Sequence, residues 1–559
     1  MMSLHLMSNF IRMIKKLLLI LTGFLLPVYL FSQGHSSVSS NTPRLIVGIV
    51  IEDMNPDYID RYWNKFGTGG FQRLFSKGFV CANHHFGNLL QRPSVNMATL
   101  STGTTPSHHG IVNDSWLDRF KKKDINCIND DYYTTVGSDS KEGNKSASKL
   151  MSQTLGDRLK IVTNGRSRVF SIALNSQSAV LAAGHSADGA YWLDPGSGKM
   201  ISSSYYMQSF PQWAFDYNGL KMADYYIGSS WTTFKDADSY KESISDDKLK
   251  EPGYMGKHNS FPYNLSRLKK ESGGSYNILK TTPFGNTMIK DFAIQMIPKE
   301  QLGYDNYPDL LTVVFSSMDY ERYSFGPFSM EMEDIYLRMD KDIAELLKYI
   351  EDGFGTQNIL VYLTGLTSIS YSSDYLKERF RMNVGNFNPE SSVALLKSYL
   401  NIKYGDGEWI DNFANQNVYL NHDLIEKKKI NLNDIQRDVA EFLNQFEGIA
   451  FAKASFEIEA DNFLGGGPLE AFQNNFYPKR SGDVMVKYED GWMPKDKYLA
   501  PDYTENSQVS LVWYGDGIPK GTTFRRTNAT DVVPTVSALI GITPPNTTTG
   551  KVISEVIKN

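Results

Sequence analysis

At 559 residues the chain has room for one large domain or several, and 41% hydrophobic with 13% aromatic residues is ample for a packed core. Charged residues at 21% give a globular composition and exclude a disordered one. A net charge of -5 leaves no basic excess of the kind nucleic-acid binding needs.

Residues 1–33 read as a targeting segment. Arg12, Lys15 and Lys16 precede the apolar Leu17–Phe31, which Pro27 interrupts, and Phe31-Ser32-Gln33-Gly34 offers a cleavage region. The run is short for a membrane span, and no Cys follows it. The expectation is a signal peptide and export to the periplasm, cell surface or medium, with no transmembrane segment in the mature chain. Cys81 and Cys127 are the two cysteines. They pair in an oxidising compartment or lie apart as buried thiols, and two cysteines exclude a Cys-based metal cluster.

His35–Thr42 is a Ser-rich lead-in. Leu45–Ile51 is a β-branched and aliphatic run, the pattern of a buried parallel strand. Tyr58–Lys77 has helical spacing, broken at Gly67-Thr68-Gly69-Gly70. A short helix is predicted over Ser94–Ser101 and another over Lys149–Thr163. Val169–Leu174 and Leu310–Phe315 read as buried strands. Glu331–Asp352 is a long amphipathic helix with Ile335, Met339, Ile343, Leu346, Leu347 and Ile350 on one side. Strands follow at Asn358–Leu363 and Val509–Tyr514, and a last helix at Asp531–Ile540 with Pro534 in its first turn. Alternating strands and helices predict an α/β fold, a central mostly parallel sheet flanked by helices on both faces. Stretches at about 195–281 and 373–477 read as insertions.

Four segments carry a resemblance: R-L-I-V-G-I-V-I-E-D-M (Arg44–Met54), S-T-G-T-T-P-S-H-H-G-I (Ser101–Ile111), S-S-M-D-Y-E-R-Y-S-F-G-P (Ser316–Pro327) and L-V-W-Y-G-D-G-I (Leu511–Ile518). Together they resemble the alkaline phosphatase superfamily, in particular the secreted bacterial single-chain alkaline phosphatases close to the type I phosphodiesterase/nucleotide pyrophosphatases. Ala182–Trp192, Lys479-Arg480-Ser481-Gly482-Asp483 and Asp531-Val532-Val533-Pro534-Thr535 extend the likeness over most of Pro43–Asn559. It implies one alkaline phosphatase-like domain over 43–559 carrying the two insertions.

The resemblance also implies a chemistry. In the family two zinc ions about 4 Å apart clamp the attacking and leaving oxygens. Asp and His side chains hold them, and a Thr or Ser hydroxyl attacks phosphorus. This chain departs from that set at nearly every position. The strand-end Asp falls on Glu52, beside Asp53. The nucleophile falls on Pro93, with Ser94 adjacent as a possible substitute. In the D-x-x-x-H motif Asp319 stands but the His position is Tyr323. The D-H pair falls on Leu366 and Thr367, and the late His on Ser507. A phosphate-holding K-x-R pair falls on Asn175 and Gln177, and a phosphate-contacting Asn near Asn113-Asp114. Of the nine histidines only His422 lies in the second half, outside any matching motif. His108, His109 and His185 belong to the frame, where structural roles are expected. His84-His85 and His108-His109 are not expected to build a new metal site, because neighbours on a strand face opposite ways.

These losses lean against enzymatic activity. The expectation is an exported pseudoenzyme that binds a ligand or protein partner, with no cofactor and no nucleic acid. Two alternatives stand beside it. One is an active metal-dependent phosphomonoesterase or phosphodiesterase in which Glu52, Asp53, Ser94 and Asp319 hold a single Mg2+ or Ca2+, ions that favour oxygen ligands. The other is a glycan- or envelope-binding protein using Tyr205, Tyr206, Trp213, Tyr217, Tyr225 and Tyr226.

Overall fold

Every residue of β1 (Leu45–Ile51) is buried, as a β-branched run covered on both faces requires. The structure, a computed structural model, describes residues 42–52, 54–243, 258–315, 325, 328–366, 373–460, 467–494 and 507–557. Along the chain the main sheet continues with β2 (Phe79–His85), β3 (Val169–Ile172), β4 (Gly189–Leu193), β5 (Met200–Ser203), β6 (Asp309–Phe315), β7 (Ile359–Gly365), β8 (Gln508–Tyr514), β9 (Gly521–Thr523) and β10 (Thr527–Asn528). Its spatial order is β9-β2-β8-β7-β1-β6-β3-β4-β5, with Thr135–Val136 beyond β5 and β10 beside β2. The inner strands β7-β1-β6-β3-β4 are all parallel. Strand β8 runs antiparallel to both β7 and β2.

Alternation along β1 divides its side chains between two cores. Leu45, Val47, Ile49 and Ile51 pack with Ile335, Met339, Ile343, Leu346 and Ile350 of the long helix, Met330–Phe354. Ile46 and Val50 pack with the helices α1 (Pro93–Thr102) and α2 (Ser176–Ala183) through Met97, Ala98, Val180 and Leu181. The sheet is therefore covered on both faces, as predicted. Gly48 sits under the ring of Tyr362, where a Cβ would come 2.3 Å from the hydroxyl.

The predicted helix over Lys149–Thr163 begins later, at Leu155, because Thr154 and Asp157 form a reciprocal capping box there. Strands Ile410–Ala414, Asn417–Leu420, Val484–Tyr488 and Ile449–Ala454 pair in that order into a separate sheet, of which Val484–Tyr488 lies beyond the stretch 373–477. It has its own core around Leu396, Trp409, Val439 and Val486. Cys81 and Cys127 are buried free thiols, so of the two readings left open the unpaired one holds. Burial pushes the Cys81 thiol up to about 12. Among the described residues no helix is long and apolar enough to cross a membrane. The signal peptide expected at 1–33 lies outside them.

Candidate active site

The carboxyl ends of β1, β6 and β7 meet where an open α/β sheet binds ligands. Glu52 follows β1 and donates its backbone N–H to Phe315 O at 3.0 Å, while Leu366 N–H reaches Ile51 O at 2.9 Å. The Glu52 side chain is 0% exposed. Its carboxylate accepts from Asn175 Nδ2 at 3.1 Å and from Ser178 Oγ. Both donors stand at the start of α2, with Asn175 as its N-cap. The strand-end carboxylate is thus held by the segment that carries the K-x-R position, in which Gln177 is half-buried. The Leu366 side chain is buried in the apolar core, and its carbonyl accepts from Asn96 Nδ2 at 2.7 Å.

Pro93 opens α1, where its missing N–H costs nothing. Ser94 is 0% exposed and donates to Asp114 Oδ1 at 2.5 Å. Ser94 is thus turned to Asp114, while Glu52 is held by Asn175 and Ser178. Asp53, Asp319, Tyr323 and Thr367 lie outside the described residues. Asn113 uses Oδ1 to accept from the Asp114 N–H at 2.7 Å, and its buried Nδ2 has no partner among the described residues.

Ser507, at the late-His position, meets a histidine instead of a metal. His85 Nδ1 lies 3.1 Å from Ser507 Oγ, and His85 Nε2 lies 2.6 Å from Asn83 Oδ1. Burial, aided by the Arg526 charge, lowers the His85 pKa and favours the neutral ring. Ser507, Asn88, Gln91, Arg526 and Lys551 line a cavity of about 800 Å³. The sequence reading treated His84-His85 only as a chelating pair. Strand alternation was the signal that could have found this contact, since it puts Asn83 and His85 on one face of β2.

The better-kept motifs stitch the frame together. Arg480 donates to the carbonyls of Gly110 at 2.5 Å and Lys149 at 2.7 Å. Asp483 accepts from Arg119, Leu420 N–H and Gln436, and meets His422 at 2.8 Å. His109 lies between Thr99 Oγ1 and the Ile111 N–H, each at 3.1 Å, and burial drops its pKa to about 3. Of the six aromatics offered as a glycan face, only Tyr225 is exposed, at 67%. The others pack against the two main cores, where their apolar area is better buried.

Residues 46–511 match the type I phosphodiesterase/nucleotide pyrophosphatase family. The chain belongs to that family. It is 33% identical over 524 residues to a protein named calcium-transporting ATPase from Myroides odoratus, covering 92% of this chain and 95% of the relative. It is 32% identical over 523 residues to alkaline phosphatase PafA of Elizabethkingia meningoseptica, covering 92% and 94%. Alkaline phosphatase PhoV of Synechococcus elongatus is 32% identical over 531 residues, at 92% and 93% coverage. The crystal structure of wild-type PafA superposes with a TM-score of 0.86 at 31% identity, over 92% of this chain and 99% of that one.

These relatives overturn the leaning against an enzyme. That leaning rested on lost zinc ligands, which measure one mechanism rather than the class of activity. The alkaline phosphatase relationship itself stands. The two-zinc arrangement does not fit the described donors of this family member. Glu52 is engaged by α2, Leu366 offers no ligand atom, and no group of three His, Cys, Asp or Glu side chains suited to a metal ion occurs among the described residues.

Proposed function

We propose that this protein, exported through its first 33 residues, hydrolyses phosphoric monoesters or diesters at a site that departs from the two-zinc arrangement. The observation that carries the reading is the match over 92% of the chain, at 32% identity, to two proteins named alkaline phosphatases. The Nδ2 of Asn113, a residue 2% exposed, supports it: a buried donor without a partner among the described residues suits an anionic oxygen. It lies near the position where the resemblance puts a phosphate-contacting Asn.

The test is turnover of p-nitrophenyl phosphate and bis(p-nitrophenyl) phosphate by the purified protein. Each is assayed with a chelator and with added zinc, magnesium or calcium. Turnover of at least one ester is expected. Absence of turnover under every condition, with the protein folded by circular dichroism, overturns the proposal.

A further inference from the structure

Asn83 fixes the chemistry of His85. Its Nδ2 donates to Phe524 O at 3.2 Å, which turns Oδ1 toward the imidazole. An amide oxygen only accepts, so the neutral ring carries its proton on Nε2. Nδ1 is then a bare lone pair facing Ser507 Oγ at 3.1 Å, and the hydroxyl must be the donor. A hydroxyl, a base within hydrogen-bond reach and a third group orienting the base form the constellation of an activated nucleophile.

Surroundings distinguish this serine from Ser94. Ser94 is fully buried and its proton is committed to a carboxylate. Ser507 is half-buried and opens onto the cavity. Arg526, which lines the same cavity, is exposed and makes no hydrogen bond or ion pair among the described residues, yet its charge is felt at His85. Neighbouring Arg525 is already forked onto Glu555 at 2.8 and 2.7 Å, and the Asp531 carboxylate is taken by the N–H groups of Asn528 and Lys551. Glu470 also faces the cavity. Arg526 is thus a free fork for phosphoryl oxygens.

The geometry points to Ser507 as the nucleophile of a metal-independent phosphoryl-transfer site, with His85 as general base and acid, Asn83 as positioning residue and Arg526 as anion clamp. The inference rests on the phosphoric-ester reading and names the machinery for it. Ser507 Oγ bonds to phosphorus as its proton passes to His85 Nδ1. The bond to the leaving oxygen breaks, and that oxygen takes the proton from His85. A water then attacks the phosphoryl-serine, giving its proton to His85. The P–Oγ bond breaks and Ser507 Oγ regains the proton.

The experiment incubates the whole protein with a fluorophosphonate in the presence of EDTA and reads the adduct by intact mass and peptide mapping. One adduct on Ser507 is expected. It should be absent in Ser507→Ala, and its rate should fall about tenfold or more in His85→Gln, in line with general-base assistance. Asn83→Ala should slow labelling and change its pH profile, an effect that a purely structural role would not produce. Thermal melts of each variant report folding. No Ser507 adduct on folded protein, or unchanged labelling in folded His85→Gln, overturns the relay. Turnover of phosphoric esters with Ser507 unlabelled overturns the relay alone. A Ser507 adduct without turnover of any phosphoric ester supports the activated serine and removes the functional reading.

Discussion

Asn175 gives a side-chain amide hydrogen to Glu52 at 3.1 Å, so the position aligned with a phosphate-holding cation is bonded to the position aligned with a metal ligand. With Ser178 the contact ties a fully buried carboxylate to the first turn of α2. Peptide dipoles at a helix start favour negative charge there. The two positions therefore stabilise each other.

Ser178→Ala tests that tie. It removes one donor from a buried charged acceptor, which costs about 1.5–3 kcal/mol. The urea midpoint should fall accordingly, and Glu52→Gln, which removes the charge but keeps the shape, should cost less. A Ser178→Ala midpoint equal to the native one would mean that the tie adds nothing to stability.

Pro93→Thr restores a hydroxyl where the family nucleophile falls. The p-nitrophenyl phosphate rate should stay unchanged, because the described residues supply no zinc clamp to activate the new group. Stability should fall by about 0.5–1 kcal/mol, since the freer residue raises unfolded-state entropy. A gain of about tenfold, ~1.4 kcal/mol of barrier, would reveal a clamp that the donor chemistry does not supply.

Leu366→Asp places a carboxylate in the apolar core against Met97 and Val509 neighbours of the same cluster. The expected loss is about 3–5 kcal/mol, the cost of an uncompensated buried charge. Zinc content after incubation and desalting should remain well under one ion per chain. A stable variant that retains stoichiometric zinc would contradict the ligand accounting.

Strand β1 and the long helix were legible because local pattern alone decides them: seven consecutive buried apolar residues, and an apolar stripe at helical spacing. The two-sided sheet followed from their alternation. What pattern cannot carry is neighbourhood across the fold. Ser507 and His85 lie 422 residues apart, brought together by the antiparallel pairing of β8 with β2. Seen in sequence, Ser507 registers only as a missing histidine. Pro93 and Leu366 can be seen in sequence to lack ligand or nucleophile atoms, but an inference from residue type to lost activity leaves out the new neighbours a substituted position acquires.

His185 provides the pH test. Its Nδ1 meets Asp157 Oδ2 at 2.8 Å. That hydrogen bond, against the pull of burial, raises the His185 pKa. Burial pushes Asp157 up, but His185 and the backbone donors outweigh it and hold its pKa down. The histidine's contribution is complete below its unfolded value and fades as pH rises through the raised folded value. The aspartate's is complete above its unfolded value and fades as pH falls through the lowered folded value. Both therefore act together between about pH 4 and about pH 6.5. His185→Gln should cost about 1 kcal/mol at pH 5.5 and less at about pH 8.5. Urea melts at the two pH values measure the difference, and a larger loss at the higher pH would reverse the assignment of charge to this pair.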